Sequence, residues 1–159
     1  MSEIKWGIIG LGNIAFEFAS AFKGIKNSKL LGIASKDIGK LNKFKERFEI
    51  DKNYCFSNYE DLIKNKEIDI VYIALPHIFH FEWINKCIDS KKNILSEKPA
   101  TISLSQIKII NQKLTKNNIF FAEGFMYSYH PQLSKLIEIL NEKTIGEIIE
   151  MESSFGVNI

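Results

Sequence analysis

Short apolar runs alternate with amphipathic segments along most of the chain. After the first run, for example, Ile14, Phe18 and Phe22 recur at helical spacing. This alternation predicts a parallel β-sheet with crossover helices. The predicted strands cover residues 4–9, 30–34, 54–56, 69–74, 93–96 and 119–122. Six strands with five helical connections predict a doubly wound α/β fold of the Rossmann type, which binds dinucleotides at the carboxyl ends of its strands.

Polar residues at capping spacing predict where two of the helices begin. Ser57 followed by Glu60, and Ser103 followed by Gln106, each have the spacing of a capping box. A further helix is expected over about residues 80–91, directly after the fourth strand.

The pattern changes after the sixth strand. One more helix is predicted by apolar residues at helical spacing: Leu133, Leu136, Ile137 and Leu140. Residues 147–155 then alternate like a half-buried antiparallel strand, which has no partner in the remaining sequence. We therefore predict a dinucleotide-binding domain over residues 1–122. Residues 123–159 would be the beginning of a second, α+β domain that is truncated at the C-terminus.

Composition and charge argue against binding to nucleic acids or membranes. The chain has 159 residues, of which 45% are hydrophobic and 25% charged, as in a soluble globular domain. The net charge is +2, and the 21 basic and 19 acidic residues are spread along the chain. The longest uncharged run, residues 70–81, is too short for a membrane span and contains Pro76.

The cysteines and histidines do not have the spacing of a metal site. Cys55 and Cys87 are isolated, which predicts no disulfide and suits a reducing compartment, so we expect a cytoplasmic protein. His77 and His80 are three residues apart, but no third ligand is in view. We expect no metal, and a structural or cofactor-edge role for His80.

A glycine-rich turn lies between the first predicted strand and the first helix. Residues 10–15, GLGNIA, have the pattern G-x-G-x-x-A. Gly10 would allow the tight turn, and Gly12 would let a pyrophosphate approach the backbone. The amides at the helix start, at Asn13 and Ile14, would face the anion. The alternative is a purely structural turn, but the position of the pattern favours cofactor binding.

The end of the second strand normally selects the nicotinamide cofactor. An acidic residue there binds the ribose 2′-hydroxyl of NAD, whereas a cation accommodates the 2′-phosphate of NADP. Here the residues are Ser35 and Lys36, so NADP is favoured. Asp37 lies beside them, and NAD therefore remains an alternative.

Four segments resemble the Gfo/Idh/MocA oxidoreductase family in order and spacing: GLGNIA, ASKD, DIVYIALPHIFH and SEKPA. A fifth segment, EGFMYSYHPQ at residues 123–132, resembles the branch that contains glucose-fructose oxidoreductase and dihydrodiol dehydrogenases. The chain departs from the family at Ser128, where an arginine is usual, and at His77, where many members have asparagine. The contact that this arginine makes in relatives is therefore in doubt here.

The resemblance implies roles for residues after the fourth and fifth strands. The nicotinamide is expected to lie over the loop of Ala74, Leu75 and Pro76 and near Glu97. Lys98 is the expected catalytic or substrate-orienting residue. Hydride transfer from a carbinol leaves an oxyanion, and an ammonium group beside it would stabilise that charge or relay its proton.

The resemblance has three further implications. The bond before Pro99 is expected to be cis, and His80 matches a family position at the start of the helix after the fourth strand. Further catalytic residues are expected from the second domain, and none of them can be assigned in this sequence. When complete, the protein is expected to form a homo-oligomer through that domain.

The favoured function is an NADP-preferring oxidoreductase that acts on a sugar, cyclitol or diol, with Lys98 at the reacting oxygen. Two alternatives remain, a non-catalytic regulator that binds NAD(P) and an NAD-dependent glycosidase of the same family. A nicotinamide that stays bound through purification would favour the glycosidase or a ping-pong oxidoreductase. We expect the 159-residue chain alone to bind cofactor without turnover and to self-associate through residues 147–155.

Overall fold

A six-stranded parallel sheet forms the centre of the structure, a computed structural model that describes residues 3–156. The strands are β1 (Ile4–Ile9), β2 (Ser28–Ala34), β3 (Cys55–Phe56), β4 (Ile70–Ile73), β5 (Asn93–Ser96) and β6 (Phe121–Glu123). They lie in the order β3-β2-β1-β4-β5-β6, and every pairing is parallel. This is the strand order of the doubly wound dinucleotide-binding fold, so the fold prediction is confirmed.

Five helices connect these strands. They are α1 (Asn13–Ala21), α2 (Ile38–Arg47), α3 (Tyr59–Lys64), α4 (His80–Asp89) and α5 (Leu104–Asn117). Short 3₁₀ helices lie at Phe22–Gly24, Lys52–Tyr54 and His77–Phe79. Among the described residues, none of the helices has the length and apolarity that crossing a membrane requires.

The helices cover both faces of the sheet, because successive strand residues point to opposite faces. Ile9 belongs to the buried cluster that contains Ile84 of α4, whereas its neighbour Ile8 belongs to the cluster that contains Ala15 of α1. All four side chains are fully buried. This two-sided core fixes the sheet, and with it the positions of the carboxyl ends of the strands.

The residues from Phe125 onward form a separate compact unit. It contains a 3₁₀ helix (Met126–Tyr129) and α6 (Pro131–Asn141). The strand predicted over residues 147–155 is wrong, since these residues have no regular secondary structure. A strand needs a neighbour for its backbone groups, and no other described segment pairs with this one.

The helix predicted to begin at Ser57 is capped by Asn58 instead. Asn58 Oδ1 accepts a hydrogen bond from the Asp61 amide at 2.8 Å, and its Nδ2 donates to the Asp61 carboxylate at 2.6 Å. The side-chain amide of Asn58 has both an acceptor and a donor, so it can bond the Asp61 backbone and the Asp61 side chain together. Glu60, the expected partner of Ser57, lies 2.8 Å from the Lys86 ammonium instead.

The helix predicted to begin at Ser103 does follow that residue, without the predicted capping box. Ser103 is the N-cap of α5, but its side chain makes no capping hydrogen bond. Its Oγ lies 2.6 Å from the Ser105 Oγ instead. Gln106 is therefore not half of a capping box.

The sixth strand begins two residues later than predicted. Asn118 has a φ of 52° in the left-handed region and ends α5. The Ile119 amide donates to the Leu114 carbonyl at 3.2 Å, as is common at helix C-termini. Because Ile119 belongs to this helix end, β6 starts only at Phe121.

The cap of α3 yields a stability prediction with a matched control. Asn58→Ala should lower the free energy of unfolding by about 1 kcal/mol, because the Asp61 amide loses its acceptor. Ser57→Ala, one residue earlier, should change it by less than about 0.5 kcal/mol. Urea denaturation of both variants measures this difference. If Ser57→Ala lowered the free energy of unfolding as much as Asn58→Ala or more, Ser57 would be the cap after all.

Candidate active site

Five residues lie side by side along the carboxyl edge of the sheet: Ser35, Gly10, Ala74, Glu97 and Gly124. Each one follows a strand and donates its amide to the last carbonyl of the neighbouring strand, at distances between 2.7 and 3.2 Å. We call this set the carboxyl-edge row. It brings the ends of β2, β1, β4, β5 and β6 together, which is the edge where doubly wound folds bind ligands.

Gly10 is required by the close approach of β1 and β4. Its φ is +87°, and a Cβ built on it would lie 2.4 Å from the Ala74 carbonyl oxygen. No side chain fits this space, so the turn depends on glycine. A Cβ on Gly12 would meet no atom within 4 Å, so the backbone there faces open space.

The N-terminus of α1 lies directly after Gly12. Gly12 is the N-cap, and no side chain of the described residues caps the helix. Asn13 and Ile14 are exposed at its start, where backbone amides have no intrahelical acceptor. The free amides and the helix dipole together favour an anion at this position.

A crevice of about 440 Å³ lies along this part of the edge. The predicted cofactor residues in its walls are Gly10, Gly12, Ser35, Lys36, Ala74, Leu75 and Pro76. Asp37, which keeps NAD an alternative, is also in the wall, and three further wall residues were not predicted: Leu11, Lys40 and Tyr59. Asn13, Ile14, His80, Glu97 and Lys98 are not in its walls.

Asp37 caps α2 and lies in the crevice wall. Its Oδ1 accepts from the Lys40 amide at 3.0 Å, and its own amide donates to the Ser35 Oγ at 3.1 Å. This carboxylate oxygen therefore faces the positive end of α2, and two lysines, Lys36 and Lys40, line the same wall. Lys40 lies in the first turn of α2, three residues after the Asp37 cap, and this position at the helix that follows β2 was a usable signal for it.

Tyr59 closes the crevice from α3. Its ring centroid lies 5.8 Å from the Lys36 ammonium, and its ring packs edge-on against Trp83 at 5.0 Å. Burial raises the pKa of the Tyr59 hydroxyl, against a smaller lowering by a hydrogen bond with the Lys36 backbone. Tyr59 thus contributes an uncharged side chain to the crevice wall. No local sequence pattern connected this residue with the end of β2.

The Glu97 carboxylate is held by a buried tyrosine. The Tyr72 hydroxyl donates to Glu97 Oε1 at 2.5 Å. Burial and this hydrogen bond raise the pKa of Tyr72, which stays a neutral donor. Tyr72 is 2% exposed and packs against the Phe18 ring at 4.0 Å between centroids. Glu97 is therefore fixed beside Ala74 in the carboxyl-edge row.

Lys98 follows Glu97 and is exposed. Within residues 3–156, its ammonium has no hydrogen-bond or ion-pair partner. The bond between Lys98 and Pro99 is cis, as the family resemblance implied. Lys98 thus directly follows Glu97 of the carboxyl-edge row, and its ammonium is unpaired among residues 3–156.

His80 is fully buried and connects two loops of the edge. Its Nδ1 lies 2.7 Å from the Pro99 carbonyl oxygen, and its Nε2 lies 2.7 Å from the Leu75 carbonyl oxygen. Both ring nitrogens thus face backbone, which favours the structural one of the two roles considered for this residue. Within the described part of the chain, no group of three or more His, Cys, Asp or Glu residues is arranged to hold a metal.

A family model and several known proteins match this chain. The model described as "Oxidoreductase family, NAD-binding Rossmann fold" (GFO_IDH_MocA) matches residues 4–125. Trans-1,2-dihydrobenzene-1,2-diol dehydrogenase of Xenopus tropicalis is 31% identical over 98% of this chain and 47% of its own length. The dTDP-3,4-didehydro-2,6-dideoxy-α-D-glucose 3-reductase of Actinomadura kijaniata is 30% identical over 98% of this chain and 46% of its own length.

Solved structures give the same assignment. A 3-ketoreductase from Actinomadura kijaniata in complex with TDP-benzene and NADP, in an open conformation, superposes with a TM-score of 0.84 at 29% identity, covering 92% of this chain and 46% of that protein. A scyllo-inositol dehydrogenase from Lactobacillus casei with bound NAD(H) and scyllo-inositol superposes with a TM-score of 0.84 at 26% identity. The match covers 92% of this chain and 43% of that protein. The chain thus spans about half the length of the relatives it matches.

The two glycines of the turn should respond differently to alanine. Gly10→Ala should lower the free energy of unfolding by at least about 2 kcal/mol, because the Cβ meets the Ala74 carbonyl and the left-handed φ is strained. Gly12→Ala should keep nearly wild-type stability, since its Cβ meets nothing. Thermal and urea denaturation measure both variants. Similar losses of stability in Gly10→Ala and Gly12→Ala would contradict this account of the turn.

Proposed function

We propose that this chain, which belongs to the Gfo/Idh/MocA oxidoreductase family, supplies the cofactor-binding part of an NAD(P)-dependent oxidoreductase acting on a sugar, cyclitol or diol. Lys98 would lie at the reacting oxygen. One observation carries this proposal: the glycine turn and the Glu97–Lys98 pair follow strands that are neighbours of the same strand, β4. A dinucleotide that binds along the carboxyl edge would therefore extend from the glycine turn toward the Glu97–Lys98 pair.

The residues of the edge fit a dinucleotide in charge and shape. Gly12 leaves the space over its backbone free, and the uncapped start of α1 offers amides to a pyrophosphate. Ala74, Leu75 and Pro76 give an uncharged wall for the nicotinamide end. Glu97, fixed by Tyr72, would accept hydrogen bonds from a hydroxyl or amide group of the cofactor.

The chemistry assigned to Lys98 follows from its charge and freedom. The nicotinamide supplies the acceptor or donor of the hydride when it is bound. The Lys98 ammonium would stabilise the oxyanion of the substrate, or hold the proton that passes to or from this oxygen. An ammonium without a partner among residues 3–156 is available for this contact, and the anchored backbone around it limits where it can move.

The wall near the end of β2 supports NADP as the preferred cofactor. A 2′-phosphate is an anion, and Lys36 and Lys40 bring two cations to the wall of the crevice. The carboxylate that would favour NAD belongs to Asp37, which accepts the Lys40 amide as the cap of α2. The Ser35 hydroxyl accepts the Asp37 amide and can still donate its own proton.

We also propose that the unit from Phe125 onward, two residues later than the boundary predicted from the sequence, begins a second domain, which completes the substrate site and carries a homo-oligomer interface. Apolar side chains in this part are highly exposed, including Ile149 at 98% and Phe155 at 78%. A cytoplasmic location is part of the same proposal. It is supported by two free cysteines, of which Cys87 is buried with its pKa raised by burial to about 12.

The cofactor preference predicts how variants of the two wall lysines and of one control lysine behave. Lys36→Ala and Lys40→Ala should each weaken NADPH binding about tenfold or more, because a charge-assisted contact with phosphate contributes about 1.5–3 kcal/mol. NADH binding should stay within about twofold. Lys43→Ala, on the same helix and exposed, should change neither. Titration of nicotinamide fluorescence measures all the affinities, and equal wild-type affinities for NADPH and NADH would refute the preference.

The catalytic assignment predicts a rate effect in the complete protein. Lys98→Met keeps much of the apolar stem and removes the charge. Cofactor affinity should stay within a few-fold, while single-turnover hydride transfer should slow by roughly 10² or more. An unchanged rate would remove Lys98 from the mechanism. A wild-type protein that binds the cofactor but neither reduces a sugar carbonyl with NADPH nor oxidises a polyol with NADP⁺ would favour the non-catalytic regulator.

A further inference from the structure

The turn that carries Lys98 is held by its backbone on three sides. We call residues 97–100 the Lys98 turn. The Glu97 amide donates to β4 at 2.9 Å, the Pro99 carbonyl oxygen lies 2.7 Å from His80 Nδ1, and the Ala100 amide donates to Glu123 Oε1 at 2.7 Å. The first two anchors are a sheet bond and a contact with a buried ring. The third is made by a side chain of β6.

The bond to Glu123 satisfies a buried donor. Ala100 is 3% exposed, so its amide has little access to water if this acceptor is lost. A buried amide without an acceptor is costly, and a carboxylate acceptor makes a stronger bond than a neutral one. Removing the Glu123 carboxylate should therefore loosen the end of the Lys98 turn.

The position of Glu123 is set by the sheet. In the pairing of β5 and β6, Glu123 lies opposite Ser96, the last residue of β5. The Gly124 amide then donates to the Ser96 carbonyl at 2.7 Å, and a Cβ on Gly124 would lie 3.2 Å from that oxygen. This close approach fixes the end of β6 against β5, so that the Glu123 side chain reaches Ala100 from an anchored strand.

We propose that Glu123 is a positioning residue, whose carboxylate fixes the Lys98 turn and so holds the Lys98 ammonium beside the bound cofactor. This role rests on the function proposed for Lys98. Glu123 acts through the Ala100 amide, not through contact with substrate. Its contribution is to keep the backbone of the turn rigid, since the Lys98 side chain itself has no partner among the described residues.

The first test compares two replacements of Glu123 in the 159-residue chain. Glu123→Leu has a similar size and no acceptor, whereas Glu123→Gln keeps an oxygen that can accept the Ala100 amide. Hydrogen exchange at the Ala100 amide, followed by NMR, should accelerate about tenfold or more in the leucine variant and much less in the glutamine variant. Glu46→Leu, an exposed carboxylate on α2, is the matched control and should have no effect.

The second test follows the Lys98 ammonium directly, using NADP⁺ as the probe. Lysines are labelled by reductive ¹³C-methylation, and the Lys98 signal is identified by its loss in Lys98→Arg. In the wild type, in Glu123→Gln and in Glu46→Leu, this signal should shift when NADP⁺ is added. In Glu123→Leu the shift should fall by at least half, while the Kd for NADP⁺ stays within about threefold. If Glu123 were purely structural, Glu123→Leu would lower the melting temperature, and the Lys98 shift would not fall while the Kd for NADP⁺ is preserved.

The outcomes separate the inference from the proposed function. Slow Ala100 exchange and a full Lys98 shift in Glu123→Leu would overturn the positioning role and leave the function standing. A wild-type chain that binds neither NADP⁺ nor NAD⁺ would instead overturn the function. In that case, hydrogen exchange at the Ala100 amide alone decides whether Glu123 anchors the turn. An exchange rate that is unchanged in Glu123→Leu would overturn the anchoring role as well.

Discussion

The site depends on one repeated hydrogen bond, in which the residue after each strand donates its amide to the last carbonyl of the neighbouring strand. This bond occurs five times across the sheet and produces the carboxyl-edge row. Because the strands are parallel, residues that are far apart in sequence, such as Gly10 and Glu97, come to one edge. The chemistry proposed for this chain needs the glycine turn and Lys98 at that edge, and the backbone ladder brings them there in a sheet that the two-sided core holds in place.

Space and charge then divide the edge into two parts. Near β1 and β2 the contacts favour an anion, with the uncapped start of α1 and the ammonium groups of Lys36 and Lys40. Near β4 and β5 the edge is uncharged at Ala74, and one fixed carboxylate, that of Glu97, lies outside the crevice walls. Asp37 also lies in the wall, and its Oδ1 accepts the first-turn Lys40 amide of α2.

Local sequence patterns predicted those edge residues that directly follow a strand of their own. Gly10 and Ser35 were found because a turn glycine and a strand-end hydroxyl have meaning at that spacing, and the family resemblance, which the family model confirms, added Lys98. Tyr59 and Glu123 were missed because each meets the edge from another element of the sheet or its helices. Such contacts depend on strand order and side-chain reach, which a pattern along one segment does not contain.

The errors of the sequence interpretation have the same origin. Residues 147–155 alternate as a strand does, but alternation describes which face would be buried and not whether a neighbouring strand exists. Ser57 has the spacing of a cap, and so does Asn58, whose amide group makes both bonds. In each case the local signal was genuine, and a partner elsewhere in the chain or one residue away decided the outcome.

The central claim is that one ligand binds along the whole carboxyl edge, from the start of α1 to the Lys98 turn. A ¹⁵N-labelled chain titrated with NADP⁺ tests it directly, because amide signals report binding residue by residue. The account predicts that the largest shifts occur together at Gly12, Lys36, Leu75 and Lys98, with one common dissociation constant. Shifts confined to α6, or a response at Gly12 with none at Leu75 and Lys98, would contradict it.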